Sequence, residues 1–215
     1  MKKYIDLSKS VENGMPKYSV LPKVKINKIR SIEKDGDEIR TIFIPSHIGT
    51  HIDAPSHQIK GGLTLDKIPV EKLVGEAVIL DFSDKFNSKN KLITLTDFEK
   101  YKGKVKNKDI VIINTGSHKH PVSFTEFPFI DVAVAKWLVN KDISLLGVDT
   151  PSVDLNIPAG EKMPVHQVIL GAGIPIVEEL TNLEMIGRER FFFMCLPIKI
   201  KGGDGVNCRA VALIE

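Results

Sequence analysis

Residues 109–115 read Asp-Ile-Val-Ile-Ile-Asn-Thr, an unbroken apolar run between polar ends. Two similar runs occupy residues 75–82 and 143–149. A strand that is apolar at every position, rather than at every second one, is typical of a parallel sheet covered on both faces. The three runs therefore predict neighbouring strands at the centre of a buried sheet.

Other segments extend this pattern in both directions. Helical spacing predicts one helix that starts at Thr96 and two more over residues 131–140 and 164–170. Residues 191–200 and 206–213 predict further strands. Residues 23–31 and 38–45 alternate polar and apolar side chains, which predicts two half-buried strands joined as a hairpin by the turn at residues 34–37. We predict the α/β fold class, as a single compact domain over residues 1–215 with a mixed sheet and flanking helices.

The composition is that of an ordinary soluble globular protein, since 42% of the 215 residues are hydrophobic and 27% are charged. Thirty basic against 27 acidic side chains give a net charge of +3, which offers no support for a nucleic-acid partner. The N-terminus lacks an apolar signal region, and the longest apolar run, residues 191–198, is too short to cross a bilayer. Two cysteines without metal-site spacing fit a reducing compartment. We therefore predict a cytoplasmic protein without a membrane partner.

Groups that can bind a metal are concentrated in residues 46–57, where three of the six histidines fall within eleven positions. The candidates are His47, His51, Asp53 and His57. A straight strand would hold His47 and His51 roughly 13 Å apart, and a helix would turn Asp53 away from both. Because Gly49 permits a sharp turn and Pro55 stiffens the exit, we predict a folded loop that directs several ligands to one point.

The chemistry of these groups suits a catalytic metal ion, which needs three protein ligands and an open position. The first three candidates could supply the ligands, which leaves His57 as a nearby acid or base. His166, with Glu178 twelve residues later, suggests a second ligand group, although spacing alone supports that pair only weakly. Nitrogen and oxygen ligands of this kind suit Zn²⁺ and also Mn²⁺.

These residues also carry a resemblance to a known family. Residues 46–57 resemble the signature H-x-G-T-H-x-D-x-P-x-H of the cyclase family of metal-dependent hydrolases, which includes bacterial kynurenine formamidases and isatin hydrolases. Its fixed positions are all present, at His47, Gly49, Thr50, His51, Asp53, Pro55 and His57. Further similar segments are residues 6–8 with 14–16, 114–116, 147–154, 196–197 and 203–205 with 209–211. Asn114 stands where the family pattern has arginine.

The resemblance implies roles for the ligand candidates. The first metal would be held by His47, His51 and Asp53, and the second by Asp53, His166 and Glu178, with Asp53 and Glu178 bridging. His57 would be the general acid/base. The implied cofactor is a divalent metal, two ions per subunit, with Zn as the first choice and Mn as a possible alternative. The implied fold is a swivelling β/β/α domain that assembles as a homodimer or a higher homo-oligomer.

The implied reaction is hydrolysis of a small amide, formamide or lactam substrate by metal-activated water. Two alternatives remain open: a cyclase or dehydratase acting on another small carbonyl compound, and a non-catalytic metal- or ligand-binding protein. Tyr18 lies in the N-terminal region where formamidases of the family have a tryptophan that packs on the substrate, so it is the candidate substrate-binding residue. We predict a core position for Trp137 and a solvated loop for His118 and His120.

Overall fold

The polypeptide forms twelve strands and four α-helices in the part of the chain that this computed structural model describes, residues 2–155, 157 and 160–214. The strands are β1 (Lys3–Asp6), β2 (Lys25–Arg30), β3 (Ile39–Phe43), β4 (His51–Asp53), β5 (Val74–Asp81), β6 (Leu92–Ile93), β7 (Ile110–Asn114), β8 (Phe129–Ile130), β9 (Leu145–Val148), β10 (Ile176–Glu178), β11 (Arg190–Pro197) and β12 (Gly205–Ile214). The helices are α1 (Ile32–Asp35), α2 (Leu95–Phe98), α3 (Val132–Asn140) and α4 (Pro164–Gly171). Within these ranges, no helix combines the length and the apolar character needed to cross a membrane.

Eight strands form one mixed sheet in the order β1-β12-β11-β5-β7-β9-β10-β4. The neighbours from β5 to β10 are parallel, and the remaining pairs are antiparallel. Strand β4 also pairs with β12, so the sheet closes on itself like a barrel. The predicted α/β class with a mixed sheet is confirmed, and the closure is an addition that the sequence pattern does not indicate.

The central strands are buried on both faces, as their unbroken apolar runs predict. In β7, Ile110 and Ile112 belong to a core shared with the other barrel strands, whereas Val111 and Ile113 belong to a second core shared with α3 and α4. All four side chains are fully buried. The burial of apolar surface on both sides of the same strand fixes the sheet between two cores.

Helices α3 and α4 cover one face of the sheet, and their limits agree with the predicted helices to within one residue. Asp131 caps α3, since its side chain accepts a hydrogen bond from the backbone nitrogen of Ala133 at 3.0 Å. Proline is suited to the first helical position because its φ is already helical, and α4 begins with Pro164. Both helix starts are therefore determined locally.

The helix predicted to start at Thr96 starts earlier in the structure. Thr94 and Asp97 form a reciprocal capping box, in which each side chain accepts a hydrogen bond from the other residue's backbone nitrogen. Phe98 of this helix meets Trp137 of α3 with ring centroids 5.7 Å apart. Trp137 packs against the core but stays partly exposed, so it is less buried than predicted.

Strands β2 and β3 pair as the predicted hairpin, but their predicted half-burial is wrong. Every residue of β3 and all but one of β2 are exposed. The connection is the helical turn α1, which ends at Gly36 with a φ of 81°. Because the hairpin is a two-stranded sheet separate from the barrel, the alternation of its side chains does not place one face in the core.

The contact between β12 and β4 supplies a test of the barrel closure. Gly205 lies opposite Asp53, and a Cβ atom at position 205 would be 2.6 Å from the backbone oxygen of Ile52 and 2.7 Å from Cε1 of His47. We expect Gly205→Ala to lower the free energy of unfolding by about 1–3 kcal/mol in denaturant titrations.

The matched control is Gly103→Ala, because a Cβ at position 103 would have no atom within 4 Å. This variant should remain within about 0.5 kcal/mol of the wild-type stability. Equal unfolding free energies for the two variants would contradict a tightly closed barrel.

Candidate metal centre

The five predicted metal ligands come from three parts of the fold and meet in one place. His47 precedes β4, His51 and Asp53 lie on β4, His166 lies in the first turn of α4, and Glu178 ends β10. The register of β10 against β4 places Glu178 directly opposite His51. Closure of the barrel therefore assembles a group of residues that are far apart in the sequence.

The ligand-rich stretch contains a turn followed by a short strand, whereas the sequence predicts a loop throughout. His51 and Asp53 are two positions apart on β4 and thus point to the same face. Gly49, with a φ of 57°, makes the turn that brings His47 back against the strand. Of these three ligands, only His47 lies outside the strand, because a straight strand would hold it too far from His51.

Asp53 stands between two sets of potential ligand atoms, those of His47 and His51 on one side and those of His166 on the other. Its Oδ1 lies 2.7 Å from Nδ1 of His47 and 3.3 Å from Nε2 of His51. Its Oδ2 lies 3.4 Å from Nε2 of His166, and that nitrogen is 3.3 Å from Oε1 of Glu178. The second oxygen of Glu178 is 3.6 Å from Nε2 of His51. Each carboxylate thus faces both sets.

Unsatisfied polar atoms show that these residues fit a divalent metal. Among the described residues, the buried side-chain nitrogen and oxygen atoms without a hydrogen-bond partner are His51 Nε2, Asp53 Oδ2 and Asn207 Oδ1. Two of these atoms belong to the centre, where burial without a partner carries a free-energy cost. A divalent cation bound by imidazole nitrogens and carboxylate oxygens would satisfy both.

The electrostatics of the centre favour positive charge. Burial opposes ionisation of Asp53, yet the neighbouring imidazoles of His47 and His51 hold the pKa of its carboxyl well below the usual range. Burial and then the charge of Asp53 raise the pKa of Glu178. Although burial disfavours their protonated forms, the carboxylate of Asp53 raises the pKa of His47 to about 10 and that of His51 to about 9. A bound cation would compensate the same negative charge.

Two of the histidines are held by acceptors outside the centre. His51 Nδ1 donates to the backbone oxygen of Gly49 at 2.8 Å, and His166 Nδ1 donates to the Asp154 carboxylate at 2.7 Å. Because each Nδ1 hydrogen is donated outward, each Nε2 faces Asp53 and Glu178 and would bind a metal there after losing its own proton. Such outer acceptors commonly orient metal-binding histidines.

His57 lies beside the centre, at the end of the turn Pro55–His57. Its ring centroid is 3.9 Å from that of His47 and 5.9 Å from that of His166. Burial lowers the pKa of His57 to about 4, so the ring is neutral near pH 7. Ligand atoms of His47, Asp53 and His57 lie within 4.8 Å of one another, as do those of His51, Asp53 and Glu178.

A cavity of about 220 Å³ opens onto these residues. Part of its wall is formed by Tyr18 and the apolar side chains of Val20, Leu21, Pro151 and Met163. The ring of Tyr18 packs on Phe124 with centroids 4.4 Å apart, and its hydroxyl donates to the backbone oxygen of Pro151 at 3.4 Å. The structure thus places the predicted substrate residue in the cavity wall.

Sequence reasoning misses two carboxylates next to the centre, those of Glu179 and Asp204. It expects Asp154 to orient a loop near the site but not to hold His166. Asp154 and Asp204 lie in segments that already resemble the family, which is the signal that could have identified them. Glu179 is buried, has a φ of 56° and pairs with Nζ of Lys9 at 2.8 Å. These residues surround the predicted ligands with further negative charge.

The solvated loop predicted for His118 and His120 is correct only for the second residue. The His118 side chain is 2% exposed, with Nδ1 2.8 Å from Asp149 and Nε2 2.7 Å from Glu184. His120 is exposed and its ring stacks on that of Phe86. Neither histidine lines the cavity of the candidate centre.

Known proteins match this chain over most of its length. A family model described as a putative cyclase matches residues 5–155. A kynurenine formamidase of Bacillus thuringiensis (strain Al Hakam) is 28% identical over 211 residues, which cover 97% of this chain and 96% of that protein. The solved structure of a potential metal-dependent hydrolase with cyclase activity is 28% identical, with a TM-score of 0.82 over 100% of this chain and 99% of that one. Isatin hydrolase A from Labrenzia aggregata shares the fold, with a TM-score of 0.86 at 23% identity over 99% of this chain and 94% of that one.

The barrel-like α/β fold, the buried histidine and carboxylate group and these relatives define a hydrolytic enzyme with a site for a divalent metal. Since the family model spans more than half of the chain, the chain belongs to the cyclase family. The resemblance drawn from residues 46–57 is therefore confirmed.

The ion-paired His118 supplies a pH-dependent test of stability. Burial disfavours its charged form, but hydrogen bonds to Asp149 and Glu184 raise the pKa of His118 above its ordinary 6.5. A raised folded-state pKa contributes stability that is complete below the unfolded pKa and is lost as the pH rises through the folded value. We expect His118→Gln to reduce the free energy of unfolding more at about pH 6 than at about pH 9, as measured by urea denaturation.

His120→Gln is the matched control, because His120 is exposed and has no carboxylate partner among the described contacts. Its effect should be small and equal at both pH values. If the effect of His118→Gln is independent of pH, His118 contributes to stability through packing and not through its ion pairs with Asp149 and Glu184.

Proposed function

We propose that this enzyme is a divalent-metal-dependent hydrolase that cleaves a small amide, formamide or lactam. The observation that supports this proposal is the convergence of His47, His51, Asp53, His166 and Glu178 on one buried point, with His57 beside it. The named relatives, a kynurenine formamidase and a metal-dependent hydrolase, support the same class of carbon–nitrogen bond cleavage outside peptides.

Two groups of residues would hold the metal. His47 and His51 would bind one ion and His166 would bind a second, with the carboxylates of Asp53 and Glu178 available to both sides. We propose Zn²⁺ as the first choice and Mn²⁺ as the alternative, with two ions per subunit. A bound divalent ion polarises a carbonyl oxygen and lowers the pKa of water.

His57 would carry the protons. Its imidazole lies at the edge of the centre, where it would take a proton from the attacking water and return that proton to the leaving nitrogen. Its position next to the ring of His47 keeps it at the edge of the centre, where a substrate would reach it. A purely structural metal site has no need of such a residue, so His57 also favours an enzyme over a non-catalytic binding protein.

The cavity would select the substrate. The described side chains that line it include no lysine or arginine, and the part of its wall that contains Tyr18 and Leu21 is apolar. An uncharged aryl or cyclic amide suits such a wall better than a substrate that requires a fixed cation for recognition. A cyclase or dehydratase reaction on a small carbonyl compound would use the same wall and the same proton carrier.

We also propose a cytoplasmic protein that forms a homodimer or a higher homo-oligomer. The two free cysteines, Cys195 and Cys208, suit a reducing compartment. The exposed hairpin presents apolar side chains such as Ile29, Ile42 and Phe43, and an isolated two-stranded hairpin is only marginally stable in water. A second copy of the chain would cover this surface, and sedimentation of the purified protein measures the outcome.

The direct test of the reaction is a hydrolysis panel. It contains N-formylkynurenine, isatin, an N-formylated aniline and simple lactams, each assayed with the purified enzyme, after chelation and after Zn²⁺ or Mn²⁺ is added back. We expect hydrolysis of at least one substrate, loss on chelation and recovery with metal. Absence of hydrolysis across the panel in metal-loaded protein would overturn the proposed reaction.

The role of His57 is tested by separating metal content from turnover. We expect His57→Ala to retain bound metal in elemental analysis while kcat/KM falls about 100- to 10,000-fold, because proton transfer is lost. His51→Ala should lose metal as well as activity, and His120→Ala, outside the cavity, should resemble the wild type.

Two results would revise this assignment. Retained turnover in metal-loaded His57→Ala would exclude His57 from proton transfer. Loss of metal from His57→Ala would make His57 a ligand instead, as its distance to His47 and Asp53 allows.

A further inference from the structure

Asp204 lies in the turn before β12 and faces two histidines of the centre at once. Its Oδ2 is 2.9 Å from Nε2 of His47 and 3.8 Å from Nδ1 of His57. Ser46 donates its hydroxyl hydrogen to the same oxygen at 3.4 Å. The carboxylate is half exposed, so it approaches the centre from the solvent side.

The main chain of Asp204 is fixed against the ligand strand. Its backbone oxygen accepts a hydrogen bond from Ala54 N at 2.8 Å, one residue after Asp53. The next residue, Gly205, lies opposite Asp53 and leaves room for the His47 ring, which a Cβ atom would contact at 2.7 Å. The carboxylate of Asp204 is therefore held at a set distance from His47 by pairing of the backbone rather than by its own side chain alone.

The two nitrogens of His47 have different surroundings. Nδ1 faces inward and lies 2.7 Å from Oδ1 of Asp53, whereas Nε2 faces outward to Asp204. A metal-binding histidine commonly uses one nitrogen for the ion and donates the hydrogen of the other to an outer acceptor. In His51 and His166 the two nitrogens exchange these roles, because Nδ1 faces outward, to Gly49 O and to Asp154 respectively.

We infer that Asp204 is a positioning residue that orients His47, so that His47 binds the metal through Nδ1 while His51 and His166 bind through Nε2. This inference rests on the metal centre of the proposed function and adds a residue and a ligand atom to it. Asp204 accepts the Nε2 hydrogen of His47 and prevents rotation of the ring about its Cβ–Cγ bond. The same oxygen of Asp204 lies 3.8 Å from Nδ1 of His57, whose ring packs against that of His47.

The test compares Zn²⁺ affinities by competition with a chromophoric chelator. We expect Asp204→Ala to bind Zn²⁺ about 10- to 100-fold more weakly than the wild type, the range found when an outer acceptor of a metal-binding histidine is removed. Asp204→Asn keeps an acceptor oxygen and should recover part of the affinity. The control is Asp66→Asn, because Asp66 accepts a hydrogen bond from Gly202 N in the same turn without contacting a histidine, and it should bind like the wild type.

A second readout identifies the ligand atom and does not depend on any variant. In ¹⁵N-histidine NMR spectra of the Zn²⁺-loaded wild type, we expect His47 to carry its hydrogen on Nε2, and His51 and His166 to carry theirs on Nδ1. Unfolding curves establish that each variant is folded before its affinity is compared.

The outcomes separate this inference from the proposed function. Wild-type affinity in folded Asp204→Ala, or a His47 hydrogen on Nδ1, would overturn the role of Asp204 and leave the metal centre intact. A wild-type protein that binds no Zn²⁺ or Mn²⁺ would overturn the metal centre and the role of Asp204 together.

Discussion

The buried carboxylate of Asp53 is the constraint on which the rest of the centre depends. One of its oxygens faces His47 and His51, and the other faces His166 and has no hydrogen-bond partner. A charged group at 1% exposure is stable only with compensating positive charge around it. The three neighbouring histidines supply that charge when they are protonated, and a divalent ion would supply it when metal is bound.

The fold makes this arrangement possible by closing the sheet through the three-residue strand β4. Pairing with β10 sets Glu178 opposite His51, and pairing with β12 sets Gly205 opposite Asp53. The same strand thus carries ligands and joins the two ends of the barrel. A change that loosens the closure would displace the ligands, so the stability of this part of the sheet and the geometry of the centre are linked.

Much of this could be predicted because the signals are local. The unbroken apolar run around Ile112 reports burial on both faces, and Asp131 and Pro164 mark helix starts. The short strand at His51 gives no such signal, because its conformation comes from long-range pairing with β10 and β12 rather than from its own residues. The exposed hairpin shows the opposite case, since alternation indicates a strand without telling whether another layer covers it. The ion pairs of His118 are missed, as the strand at His51 is, because the partner residues are distant in the sequence.

The central claim is that Asp53 is the shared ligand of a buried metal centre. Anomalous X-ray diffraction from crystals of the Zn²⁺-loaded protein, recorded above and below the zinc absorption edge, tests it most directly. We expect anomalous density within bonding distance of the Asp53 carboxylate, flanked by His47 and His51 on one side and by His166 and Glu178 on the other. Density that is absent from this point, or that lies elsewhere without Asp53 as a ligand, would contradict the claim.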